Sequence, residues 1–85
     1  MTTELNFKDL QDLAAEILGV EADRVQMDVS FAKDLAADSL DLVELIAAVE
    51  DKYDVELPEE TLENMKKIRD LWVFLEARQT ERLGA

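Results

Sequence analysis

Apolar residues recur at helical spacing in four stretches of this chain. Leu10, Leu13, Ala14, Ile17 and Leu18 fall at i, i+3, i+4, i+7 and i+8, one stripe of a helix running from about Asn6 to Leu18. Either Thr3 or Asn6 can cap its start, and Gly19 stands where such a helix stops. A second stripe, Leu42, Leu45, Ile46, Val49 and Tyr53, predicts a helix from Ser39 to about Tyr53. A short third helix is expected at or after Pro58. Proline suits a first turn, Glu59 and Glu60 suit the positive end of a helix dipole, and Leu57 and Leu62 can hold the segment to a core. The fourth helix is expected from about Ile68 to Arg82, with Ile68, Leu71, Trp72 and Leu75 inward.

Residues 20–37 lie between the first two helices and carry Val25, Met27, Val29, Phe31 and Leu35. The alternation from Val25 to Phe31 resembles a strand, but no second strand is available to pair with it. The apolar residues instead predict a long loop pinned to the core. The fold expected is all-α: a four-helix bundle with a long loop between helices 1 and 2 and a short third helix. With 85 residues, one domain spanning 1–85 is all the chain has room for, and its core is small.

Composition removes several function classes. The chain has no cysteine and no histidine, so it forms no disulfide, offers no thiolate and lacks the usual general base. An enzyme is not expected. The 21 acids against 9 bases give a net charge of -12, which disfavours nucleic acid and anionic membranes. Such a charge favours partners with basic patches, though plain solubility is its other reading. It is also unevenly placed. Residues 38–60 hold nine acids and only Lys52 as a base, whereas residues 64–85 hold five bases and three acids. The acids raise the question of calcium, but Asp34 to Glu44 lacks the alternating oxygens and central glycine of an EF-hand loop, so no metal site is expected. Leu45 to Val49 and Leu71 to Leu75 are too short to cross a bilayer, and Met1-Thr2-Thr3-Glu4 does not open a signal peptide. A soluble, cytoplasmic monomer is expected.

Ser39 has two readings. As an N-cap, its hydroxyl would accept a hydrogen bond from a free backbone N–H in the first turn of the second helix. Its surroundings suggest a second role. Asp41 and Glu44 follow Asp38 by three and six residues and share a face with it. Leu40, Val43 and Ala47 form an apolar stripe beside those acids, separate from the core stripe. An apolar strip flanked by acids, next to an accessible serine, describes a docking surface.

The run from Val29 to Leu45, containing Phe31, Leu35 and Asp38-Ser39-Leu40-Asp41, is similar to the signature of acyl carrier proteins. The similarity continues through Glu50-Asp51-Lys52-Tyr53 and Leu57-Pro58-Glu59-Glu60 and covers essentially the whole chain. The resemblance implies the acyl-carrier bundle and a covalent 4′-phosphopantetheine arm, taken from coenzyme A, on Ser39. The thiol of that arm holds acyl groups as thioesters. The resemblance also implies partners: a phosphopantetheinyl transferase and acyl-transferring or acyl-modifying enzymes with basic docking patches. Asp38, Asp41, Glu44, Glu50 and Asp51 match the acidic recognition positions, and Leu40, Val43 and Ala47 the apolar contacts among them. Phe31, Leu45, Ile46, Leu62, Ile68 and Trp72 are candidates to line an acyl pocket. A phosphodiester on Ser39 would sit at a helix N-terminus, where free N–H groups favour an anion, while Asp38 opposes it.

Three positions depart from the family pattern. Ala36 stands where glycine is frequent, which implies either a backbone with no need of positive φ or an altered loop. Lys67 stands near where a threonine often caps the last helix, implying a weaker or shifted cap. Trp72 is large for an inner face, either filling the core or shaping an acyl cavity. The acidity favours fatty-acid synthesis or a specialised acyl pathway. Polyketide, amino-acyl and other secondary-metabolite carriers are the alternative, and an unmodified acidic interaction module is the alternative of another class.

Overall fold

A computed structural model describes residues 5–84, with side chains through residue 79. Four helices make up the described chain: α1 (Phe7–Leu18), α2 (Ser39–Tyr53), α3 (Glu59–Glu63) and α4 (Ile68–Gly84). The fold is all-α, and among the described residues the sole ladder pairing is an isolated antiparallel bridge between Ser30 and Lys67.

Local chemistry sets most helix ends. The Asn6 side chain accepts a hydrogen bond from the Lys8 N–H at 2.8 Å and caps α1; Thr3, the other candidate, lies outside the described residues. Gly19 takes the left-handed conformation (φ 70°), and its N–H returns to the Ala15 carbonyl. The last turn of α2 ends on Asp54, also left-handed (φ 55°). Beyond it, the Leu57 N–H donates to a Glu50 carboxylate oxygen at 2.9 Å, which folds the chain back toward α3.

Leu10 and Ala14 of α1, Leu45 and Val49 of α2, and Ile68 and Leu71 of α4 are fully buried together with Val25 of the long loop. Phe31 and Leu35 bring the rest of that loop onto the same core. The loop also contains a 3₁₀ turn at Ala22–Arg24, which the apolar pattern did not mark. Side-chain and backbone bonds hold it at both ends: Gln11 Nε2 donates to the Val25 carbonyl at 2.7 Å, and the Phe31 N–H donates to the Lys66 carbonyl at 3.0 Å.

The start of α4 depends on this loop. The Ile68 and Arg69 N–H groups donate to the Val29 and Met27 carbonyls at 3.1 and 2.9 Å. The Asp70 carboxylate accepts from the Lys66 and Lys67 N–H groups, each at 2.9 Å. The cap that Lys67 lacks the side chain to make is thus supplied by two loop carbonyls and by Asp70. The expectation for Ala36 needs correction. Its φ is 53°, so the position keeps the left-handed backbone without the glycine that suits it.

Candidate functional site

The loop delivers the chain to α2 through Asp38, whose extended backbone (φ -91°, ψ -177°) marks it as the true N-cap. Its carboxylate accepts from the Asp41 N–H at 2.9 Å, and the Asp41 carboxylate accepts from the Asp38 N–H at 3.2 Å. This reciprocal capping box satisfies one donor on each side. The reading of Ser39 as the cap is therefore corrected: Ser39 is the first helical residue, one position further on. Asp38 removes the need for a serine cap, and among the described residues nothing hydrogen-bonds the exposed Ser39 hydroxyl.

Leu40 (66% exposed) and Val43 (53% exposed) are among the few large apolar side chains left in solvent, and Ala47 continues their stripe. Glu44 and Asp51 flank it, exposed and with no hydrogen bond among the described residues. The five acids assigned to this face are not equivalent. Asp38 and Asp41 cap each other's backbone, and Glu50 is half-buried with one oxygen on the Leu57 N–H.

On the other side of Ser39 an open cleft of about 680 Å³ runs between the N-terminus of α2, the loop and the α3–α4 connection. Of the acyl-pocket candidates, Phe31 and Leu62 line it. The other four lie elsewhere. Leu45 and Ile68 are fully enclosed in the core, Ile46 is nearly so, and Trp72 meets Phe7 of α1 edge-on with ring centroids 5.2 Å apart. Leu42, read as a core residue, is half-buried and forms part of the cleft wall with Ala37 and Met65. Lys33, Lys66 and Lys67 also line the cleft, of which the sequence marks only Lys67, and that for the start of the last helix. The doubled Lys66-Lys67 in the basic third of the chain was a signal for two of them.

This arrangement has little catalytic capacity of its own. The chain contains no histidine, and the carboxylate nearest in sequence to Ser39 is occupied by the Asp41 N–H. Residues 8–72 match the family model described as the phosphopantetheine attachment site. The chain is 44% identical over 69 residues to an acyl carrier protein of Bdellovibrio bacteriovorus, covering 81% of this chain and 88% of that one. It is 40% identical over 75 residues to an acyl carrier protein of Clostridium acetobutylicum, covering 88% and 97%. A Helicobacter pylori acyl carrier protein is 46% identical over 70 residues, covering 82% and 90%. The family model spans most of the chain and these relatives align over most of their own length: the chain belongs to the phosphopantetheine-bearing acyl carrier protein family.

Proposed function

We propose that Ser39 is the attachment point of the 4′-phosphopantetheine arm and that the chain carries acyl groups to partner enzymes of fatty-acid synthesis or a specialised acyl pathway, working as a cytoplasmic monomer. The observation that carries this reading is the Ser39 hydroxyl itself: exposed, free of hydrogen bonds among the described residues, on a residue that lines a cleft. The residues present suit the arm. The free N–H groups of the first turn of α2 favour an anion on Ser39 against the charge of Asp38, and Phe31, Leu42, Leu62 and Met65 give the cleft an apolar lining. When bound, the arm supplies the thiol that the chain lacks.

The chain's own residues support the rest of the role. Leu40 and Val43 offer an apolar contact, and Glu44 and Asp51 offer charge to a basic patch on a phosphopantetheinyl transferase or an acyl-transferring enzyme. Asp38 holds the turn that presents the serine. Intact-protein mass spectrometry after incubation with coenzyme A and a phosphopantetheinyl transferase tests the assignment. Wild type gains the mass of one phosphopantetheine and Ser39→Ala gains none. Modification of the alanine variant, or of neither protein, overturns it.

A further inference from the structure

α3 has little of its own to hold it in place. It is five residues long, no side chain caps its start and none of its residues is buried. A helix so short does not persist alone in water, so its position is set from its two ends. Downstream, Met65 is buried in the core. Upstream, Leu57 is buried as well, and the Glu50 carboxylate of α2 accepts from its N–H at 2.9 Å. The bonds then run on into α3. The Pro58 carbonyl accepts from the Thr61 and Leu62 N–H groups at 2.9 and 3.2 Å, and Leu62 lines the cleft that Ser39 also lines.

Glu50 is committed to this turn on two counts. Its carbonyl accepts from the Asp54 and Val55 N–H groups that end α2, and its carboxylate holds Leu57. Its place on the helix agrees. It lies about 20° round α2 from the exposed Val43 and about 40° from the buried Ile46, on the border between the outer face and the core. An ionised carboxylate is a strong acceptor, and without it the part-buried Leu57 N–H must find another partner or go unpaired. A change at position 50 is thus passed along the backbone to the wall of a cleft that Glu50 itself does not line.

Resting on the assignment of Ser39, we propose that Glu50 is a positioning residue for the cargo. Its carboxylate, by holding the Leu57 N–H, sets α3 and with it the Leu62 side of the cleft that takes the acyl chain.

The test compares the full chain with Glu50→Gln, which keeps an acceptor oxygen, and Glu50→Ala, which removes it. In the unmodified proteins, Glu50→Gln keeps the wild-type amide shifts of residues 61–63 and Glu50→Ala moves them. Each protein is then loaded to completion from octanoyl-coenzyme A with a phosphopantetheinyl transferase, its mass is confirmed, and its melting temperature is compared with that of its own unacylated holo form. The rise on acylation reports how well the folded cleft holds the chain. Wild type and Glu50→Gln show the same rise, and Glu50→Ala loses most of it. A side chain that only stabilises the bundle would lower both forms equally and leave the rise intact, and that result overturns the inference. So does a glutamine variant that behaves as the alanine one, or a wild type that shows no rise. If wild type gains no mass, the Ser39 assignment falls, and the shifts of residues 61–63 alone decide whether Glu50 sets α3. Should Glu50→Ala fail to fold, Glu50→Asp, whose carboxylate stops one methylene short of Leu57, is read in its place.

Discussion

Asp38 closes the first turn of α2 with its carboxylate, while the Ser39 hydroxyl beside it touches nothing among the described residues. The two side chains can therefore be separated by substitution. Asp38→Ala loses the cap and costs about 1 kcal/mol in urea unfolding. Ser39→Ala stays within about 0.5 kcal/mol of wild type, because it removes an exposed hydroxyl with no partner. The reverse ranking would mean that the serine holds the turn. Ala36, three residues before Ser39, stores strain of another kind. A left-handed backbone costs an L-residue about 1–2 kcal/mol, and glycine's extra freedom when unfolded offsets part of the gain from replacing it. Ala36→Gly is expected to stabilise the chain by about 0.5–1 kcal/mol, seen as a rise of about 3–6 °C in Tm. A lower Tm would contradict the φ of 53°.

At the scale of elements, the loop and α4 are joined by more than backbone. Arg69 donates to the Asp28 carboxylate at 2.9 Å from 41 positions away in sequence. The hydrogen bond, and then the charge of Arg69, hold the Asp28 carboxyl below its ordinary 3.8. A depressed folded value means that the stabilisation is present above the unfolded pKa and is lost as pH falls through the folded one. Wild type and Asp28→Asn should thus differ in Tm at about pH 6, and the gap should close as the pH falls through the depressed folded value. A gap independent of pH would exclude the ion pair as its source.

This junction also marks the limit of what the sequence discloses. The stop of α1 at Gly19 and the span of α2 depend on neighbours within one turn, and the local pattern reports them, whereas the start of α1 stays open between Thr3 and Asn6. The carbonyls that cap α4 come from Met27 and Val29, about forty residues earlier, and no local pattern carries that. Trp72 shows the same limit, since periodicity puts it on an inner face but cannot say that Phe7 is its neighbour. At the site, Ser39 could be placed at the head of α2 from the residues around it. The cleft could not, because residues of the loop such as Phe31 and of the α3–α4 connection such as Met65 come to line it together only through the fold. Asp38 was misjudged for a different reason: aspartate and serine both make good N-caps, and the sequence does not say which of two adjacent candidates leaves the helical backbone.

Over the whole molecule, the charges stay at the surface, and no charged side chain among the described residues is buried. The acidic face of α2 can therefore be altered without touching the core, provided that the acids with structural bonds are spared. Glu44 and Asp51 meet that condition, while Asp41 and Glu50 do not. Glu44→Lys with Asp51→Lys should slow loading by the transferase at least about tenfold at low ionic strength, with the gap narrowing near 0.5 M salt and Tm little changed. Equal loading rates would remove this face from partner recognition.

The way α4 is capped has a consequence for how the molecule opens. The first N–H groups of α4 are satisfied by carbonyls of the loop, and the loop's Phe31 N–H is satisfied by Lys66 just before α4. Neither segment can detach without stripping the other of its hydrogen bonds, so the two breathe as one cooperative unit. Ser39 stands at the downstream end of that loop, on a helix whose own cap is local. The head of α2, capped by Asp38 and Asp41 alone, does not depend on those bonds and keeps its first turn whether or not they are made.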